Sequence, residues 1–337
     1  LLPAGGIGAH APASGPWRGM VNGTLTLGAE SSSNSWPGCL SLSKRDPMST
    51  VKPRQIELFV AQQLEAPSLR DDIDIMSLPF FSIEKTPRHD PIEFERVVGD
   101  RRQYIRVSPG EFGLATIWDN DIILYLRTQI IEALNRNRDV SKRISFHIHD
   151  CLVATGRRTG GREYELFKEA LTRLKTTTVL TNISTSDEIA DEGFGWLESF
   201  KIKRRRTAAG ADVMASCEVV ISDWLFGLFL NSRRALAIDS AYFHLQGGLE
   251  RKLYGILRKH LGQQSMWQIG TDTLKDLCGV KRDVRRFTYD LKKIVERGLP
   301  GFDLEITKEP RGLKLVGPQR VSKRAYLVVR PRRALAG

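Results

Sequence analysis

The sequence predicts an α+β protein built from two tandem winged helix-turn-helix domains, flanked by a disordered N-terminal arm and a basic C-terminal tail. Three observations lead there. An order of helix, short helix, helix and β-rich hairpin is read twice along the 337 residues. The last helix of the second round, within "VKRDVRRFTYDLKKIVERGLPGFD" at 280–303, is basic on one face and stops at Gly-Leu-Pro-Gly. The chain carries a formal net charge of +12, which suits a polyanionic partner such as nucleic acid. The predicted divisions are an arm at 1–70, a first domain at 71–240, a second at 241–318 that is the main DNA reader, and a tail at 319–337.

The arm is rich in Gly, Ser and Pro through residue 47 and has neither helix nor strand periodicity. It lacks the basic and apolar regions of a signal peptide. Composition changes at "PMSTVKPRQIELF", so 1–47 reads either as sequence upstream of an initiator Met48 or as a disordered arm. The longest strongly apolar run, "WLFGLFL" at 224–230, is far short of the roughly 20 residues a membrane span needs. Cys39, Cys151, Cys217 and Cys278 form no Cys-x-x-Cys pair and read as reduced thiols of a cytoplasmic protein.

In the first domain, 115–135 has apolar residues at helical spacing from Ile117 to Leu134. Asp150 is a candidate N-cap for the short helix "CLVAT", which Gly156 ends. The helix at 162–175 turns Tyr164, Phe167, Leu171 and Leu174 to one side. Strands follow in "TTTVLTNIST", "GWLESFKIKRRR" and "ADVMASCEVVIS". Lys203, Arg204, Arg205 and Arg206 then fall at a hairpin tip, where a wing meets phosphate.

The second domain repeats the order. A helix at 248–262 precedes a short helix at 271–279, capped by Thr271 or Asp272 and ended by Gly279. The third helix is read over 281–297, with Val284, Phe287, Leu291 and Ile294 at steps of three, four and three as its buried stripe. Arg282, Arg286, Tyr289 and Lys293 share another face, flanked by Arg285 and Lys292. Its seven basic and three acidic residues leave a net +4, against +1 for 162–175. The more basic helix is therefore the candidate for the major groove, where arginine pairs bidentately with guanine. "FDLEITK" and "GLKLVGP" read as two strands joined at "EPRG". The tail holds Arg320, Lys323, Arg324, Arg330, Arg332 and Arg333 without an acidic residue.

One constellation offers catalysis instead. "HIH" at 147–149 matches a His-hydrophobe-His metal pattern, and Tyr289 precedes Lys293 by one helical turn, as in nicking tyrosines. A rolling-circle nickase would use both, and covalent attachment to cleaved DNA, lost in Tyr289→Phe, would reveal it. Against it, the parts lie in separate predicted domains and the His pair lacks an evident third ligand. An extended segment entering a helix explains His147 and His149 equally well. The DNA-binding expectation assigns no catalytic residue, metal or cofactor. A winged-helix transcriptional regulator shares every one of these physical features.

Several long segments, in order, resemble the plasmid replication initiator protein A family: "IMSLPFFSIEK", "YIRVSPGEFGLATIWDNDIILYL", "TGRRTGGREYELFKEALTRLKTTTVLTNI", "SDWLFGLFLNSRRALAIDSAYFHL", "GLERKLYGILRKHLGQ" and "DVRRFTYDLKKIVERGLPGFDLEI". The resemblance runs from about 71 to 318. It implies binding to direct repeats (iterons) in double-stranded origin DNA, local duplex opening, and recruitment of host replication initiator and helicase proteins. It implies no nicking. Related initiators repress transcription as homodimers and bind the origin as monomers, with two winged-helix domains. On that resemblance, 281–297 is the principal reading helix, and 162–175 adds backbone contacts or serves a dimer interface.

Overall fold

The computed structural model of the protein describes residues 57–62, 69–183, 190–206, 210, 212–230, 235–309 and 325–332. The first half runs β1 (Phe59–Val60), β2 (Arg70–Asp72), α1 (Ile73–Ser77), β3 (Ile92–Val98), β4 (Arg101–Ser108), α2 (Asn120–Asn135), β5 (Arg143–His147), α3 (Ile148–Ala154) and α4 (Gly161–Thr176). It continues through β6 (Thr178–Thr181), β7 (Glu192–Gly195), β8 (Leu197–Arg206), β9 (Asp212–Ile221), α5 (Asp223–Leu230) and β10 (Ala235–Ala237). A 3-10 turn at Ser240–His244 leads to α6 (Gly248–Leu261), β11 (Trp267–Gly270), α7 (Thr271–Leu277), α8 (Val284–Arg297), β12 (Phe302–Thr307) and β13 (Tyr326–Pro331). The protein is α+β.

The two rounds of elements share one strand topology. In the first, β9 lies between β5 and β8 and is antiparallel to both. In the second, β13 lies between β11 and β12, again antiparallel to both. Each sheet packs against its own helices around apolar side chains such as Phe146, Phe167 and Leu171, or Phe287, Leu291 and Leu327.

Three strand expectations change. "TTTVLTNIST" supplies β6, which pairs with β4 and β7 in a separate sheet of order β3-β4-β6-β7 and takes no part in the hairpin beside it. The partner of β12 is Tyr326–Pro331, within the segment read as tail, while the strand expected at "GLKLVGP" lies outside the described residues. The run "YLVV" is buried: β13 is paired along both edges and α6 packs against it. Within the stretch read as arm, Phe59 is buried and β1 adds a parallel strand to β5. The rest of 1–56, including Met48 and Cys39, lies outside the described residues.

Helix ends follow local chemistry. Asp119 accepts the Thr116 amide at 2.8 Å, forming a turn that delays α2 to Asn120. Asp150 is in the first turn of α3, whose N-cap is His147, because β5 runs straight into the helix. Gly270 occupies the N-cap of α7, one residue before the expected Thr271. Gly279 has φ +67°, the left-handed conformation that ends the short helix at little cost. Cys151, Cys217 and Cys278 are buried free thiols.

The halves meet where α6 crosses α1. A Cβ on Gly255 would lie 2.9 Å from the Met76 carbonyl oxygen, and one on Gly248 would lie 2.0 Å from that of Ile83. Only glycine permits this approach. It brings the Lys252 ammonium to the C-terminal end of α1, where it donates to the Met76 oxygen at 3.0 Å and to the Leu78 oxygen. Burial pushes the Lys252 pKa down to about 8. Beside it, the acidic run "RDDIDIM" at 70–76 is held by cations. Asp72 pairs with buried Arg127 at 3.2 Å and caps α1, and Asp74 meets Lys259 at 3.4 Å.

Asp71 is also buried at this junction, accepting the Asp72 amide at 2.8 Å. Burial raises its pKa from 3.8 to about 7. The unfolded chain releases this proton near 3.8 while the folded chain holds it to about 7, so folding loses stability as pH rises between those values. Asp71→Asn removes the titration. Thermal melts of the pair across pH should show the variant gaining on wild type through this window and the gap levelling above it. A gap independent of pH would contradict the assignment.

Candidate nucleic-acid interface

The basic helix is α8. Its helical bonding starts three residues later than 281, because the Asp283 carboxylate accepts the Arg285 amide at 2.6 Å and caps the helix there. Phe287, Leu291 and Ile294 are buried as expected, each contributing about 1.5–3 kcal/mol by leaving water. Val284 is half-buried and Val295 shares the packing. With that stripe inward, Arg285, Arg286, Tyr289, Lys292 and Lys293 are all exposed. The first turn of α8 has no acidic residue, so Arg285 and Arg286 work against the helix dipole by about 0.3–1 kcal/mol each. An arrangement that costs stability locally yet concentrates cations suits an anionic ligand.

Tyr289 is 49% exposed and lies between two cations, with the Arg286 guanidinium 5.3 Å and the Lys293 ammonium 4.5 Å from its ring centre. Arg282 stands outside the helix, in the turn after α7, but its guanidinium bonds Asp290 at 2.8 Å. Arg286 approaches the same carboxylate at 3.6 Å. A shallow groove runs between α8 and β12, lined by Arg285, Thr288, Tyr289 and Lys292 on one side and by Thr307 and Lys308 on the other. Sequence reasoning missed Lys308, which follows an alternating strand and is brought to this groove by the packing of β12 beside α8. Arg297 is engaged elsewhere, bonding Glu250 of α6 at 2.8 Å.

The second cluster lies on β8, where Lys203, Arg204, Arg205 and Arg206 are exposed at the end of the β8–β9 hairpin. A register shift between Lys203 and Arg204 bends the strand at this point. Lys203 is 3.6 Å from Glu218 of β9 and the Arg206 guanidinium reaches the Gly210 carbonyl at 3.4 Å. The α4 helix turns Arg162, Glu165, Leu166, Lys168 and Glu169 outward, a surface of mixed sign. Its Arg173 folds back instead to bond Asp119 at 2.8 and 2.9 Å.

His147 ends β5 and His149 opens α3, where its Nδ1 is 3.6 Å from Asp150. No group of three metal-ligating side chains occurs among the described residues. Tyr289 belongs to the second round of elements, on α8, and its cation neighbours are Arg286 and Lys293. No helix among the described residues is long and apolar enough to cross a membrane.

Residues 70–304 match the family described as replication initiator protein A. The chain belongs to that family. It is 31% identical over 252 residues to the "Putative replication protein" of Wigglesworthia glossinidia brevipalpis, a match covering 74% of this chain and 88% of the relative. The structure is similar to the crystal structure of SeMet derivatives of domains 2 and 3 of RctB, with a TM-score of 0.54 at 13% identity, covering 77% of this chain and 98% of that one. At that identity the likeness is one of fold. The family match ends within β12, so α8 and its basic face lie inside the family's span.

Proposed function

We propose that this replication initiator binds repeated sites in double-stranded plasmid origin DNA, with α8 as its principal reading helix and the β8–β9 hairpin as a backbone clamp. The observation that carries this reading is the face of α8. Four exposed cations, Arg285, Arg286, Lys292 and Lys293, surround Tyr289 opposite a fully apolar buried stripe. The two rounds of helix, strand, helix, helix and paired strands support reading the fold as two winged-helix units, in which α4 and α8 hold the recognition-helix position. The weaker charge of α4 suits backbone contacts or a homodimer interface. Binding then promotes duplex opening and the recruitment of host initiator and helicase proteins, with no bond made or broken by the protein itself.

Footprinting on the DNA beside the gene tests this directly. Direct repeats protected at helical-turn spacing are expected, and uniform or absent protection would defeat the reading. In the same assay Arg204→Ala should weaken cognate and random duplex alike and make the salt dependence shallower by about one unit, the loss of one phosphate contact. A loss confined to cognate DNA would move Arg204 from backbone clamp to base reader.

A further inference from the structure

The acidic residue Asp290 sits at the edge of the surface formed by Arg282, Arg285, Arg286, Tyr289, Lys292 and Lys293. Its side chain is 21% exposed, so it is shielded more than its partners, Arg282 at 45% and Arg286 at 65%. One carboxylate oxygen takes the Arg282 Nη1 at 2.8 Å, and the other faces the Arg286 Nε at 3.6 Å. These arginines come from different segments. Arg286 is one helical turn before Asp290 within α8, whereas Arg282 precedes the helix cap in the turn from α7. An ordinary surface pair between neighbouring helix residues would explain Arg286 alone. It does not explain a single carboxylate that gathers a loop arginine and a helix arginine at the N-terminal end of α8, the part of a recognition helix that meets base edges.

Two opposing effects follow for DNA binding. A free arginine loses rotamer freedom when it pairs with a base, and a carboxylate that already holds the guanidinium lowers that loss. The same carboxylate repels phosphate and occupies donors that would otherwise reach any backbone. Holding the arginines in place favours a bidentate contact to guanine at a defined position, whereas loose arginines favour any anion nearby. We infer that Asp290 is a positioning residue for base readout: its carboxylate orients Arg282 and Arg286 toward guanine and lowers affinity for DNA of arbitrary sequence. This rests on the reading of α8 as the DNA-reading helix.

The test uses the full chain and a duplex library with a randomised core, with selected sequences read by sequencing and affinities measured on a selected and a scrambled duplex. For Asp290→Asn the discrimination between the two should fall about fivefold, the lower end of one bidentate contact. Affinity for the scrambled duplex should rise a few-fold, and the salt dependence should steepen by about one unit as freed arginines reach phosphate. Asp290→Glu retains the charge but displaces it, so scrambled-duplex affinity should return to the wild-type value while discrimination stays reduced. In an Arg282→Ala/Arg286→Ala background Asp290→Asn should change discrimination no further. A general loss of folding would lower both affinities together and leave the salt dependence unsteepened. Discrimination unchanged in Asp290→Asn, or reduced equally in the Arg282→Ala/Arg286→Ala background, overturns the inference while leaving α8 as the reading helix. A wild-type protein that selects no sequence overturns the reading of α8, and this inference with it.

Discussion

Arg251→Ala is expected to destabilise the protein by about 3–5 kcal/mol, the usual cost of removing one partner from a buried ion pair. Arg251, in the first turns of α6, bonds both oxygens of Asp121 in α2 at 2.9 and 3.0 Å. It also donates to the carbonyls of Leu245 at 3.0 Å and Phe243 at 3.2 Å, and its guanidinium stacks 4.9 Å from the Tyr242 ring centre. Without it Asp121 keeps Arg157 at 3.0 Å, but this buried carboxylate loses its second cation and two part-buried carbonyls lose a donor. Burial already raises the Asp121 pKa, with Arg251 the largest opposing influence, so the variant pushes that carboxyl further toward its neutral form. Urea unfolding followed by circular dichroism measures the loss. A change below about 1 kcal/mol, typical of an exposed pair, would mean the pair contributes little to joining the halves.

Removing the two arginines that Asp290 gathers should produce the largest functional effect. For Arg282→Ala/Arg286→Ala, affinity for the protected origin repeat is expected to fall about 100-fold or more, because each bidentate guanine contact carries about 1–3 kcal/mol of discrimination. Affinity for random duplex should fall much less, since Arg285, Lys292 and Lys293 remain exposed on α8. Both arginines are substantially exposed, so the fold should tolerate the change. Titration of repeat and random duplexes at one salt concentration checks the prediction. Equal weakening of both would assign the arginines to the phosphate backbone.

The face of α8 was readable in the chain because helical period is a local property. Phe287, Leu291 and Ile294 recur at the spacing that selects one side, and everything charged is left on the other. The cap at Asp283 was less apparent, since it depends on one side chain competing for the Arg285 amide. The β8–β9 hairpin was legible for a similar reason: two β-rich runs flank a short connection, and the cations precede it. Asp290 was counted only as one of three acids on the helix. Its role depends on Arg282 returning from the preceding turn, which no periodicity encodes.

Strand partnership was the harder part. Tyr326–Pro331 is a short apolar run among arginines, and composition alone made it a tail. Its burial comes from insertion between β11 and β12, which are distant in the chain and pair with it only after the loops close. Likewise β6 lies next to the hairpin strands in sequence but joins β3, β4 and β7, because β4 offers it an antiparallel partner. Asp71, Asp72 and Asp121 gain cationic neighbours only when α2 and α6 bring Arg127, Lys252 and Arg251 beside them. Period and charge act over a few residues, so the chain alone specified the longer helices and the basic face of α8. Sheet order and the glycine-mediated contact of α6 with α1 depend on pairings across long separations. They exist only once the entropy of closing those loops has been overcome by the burial they bring about.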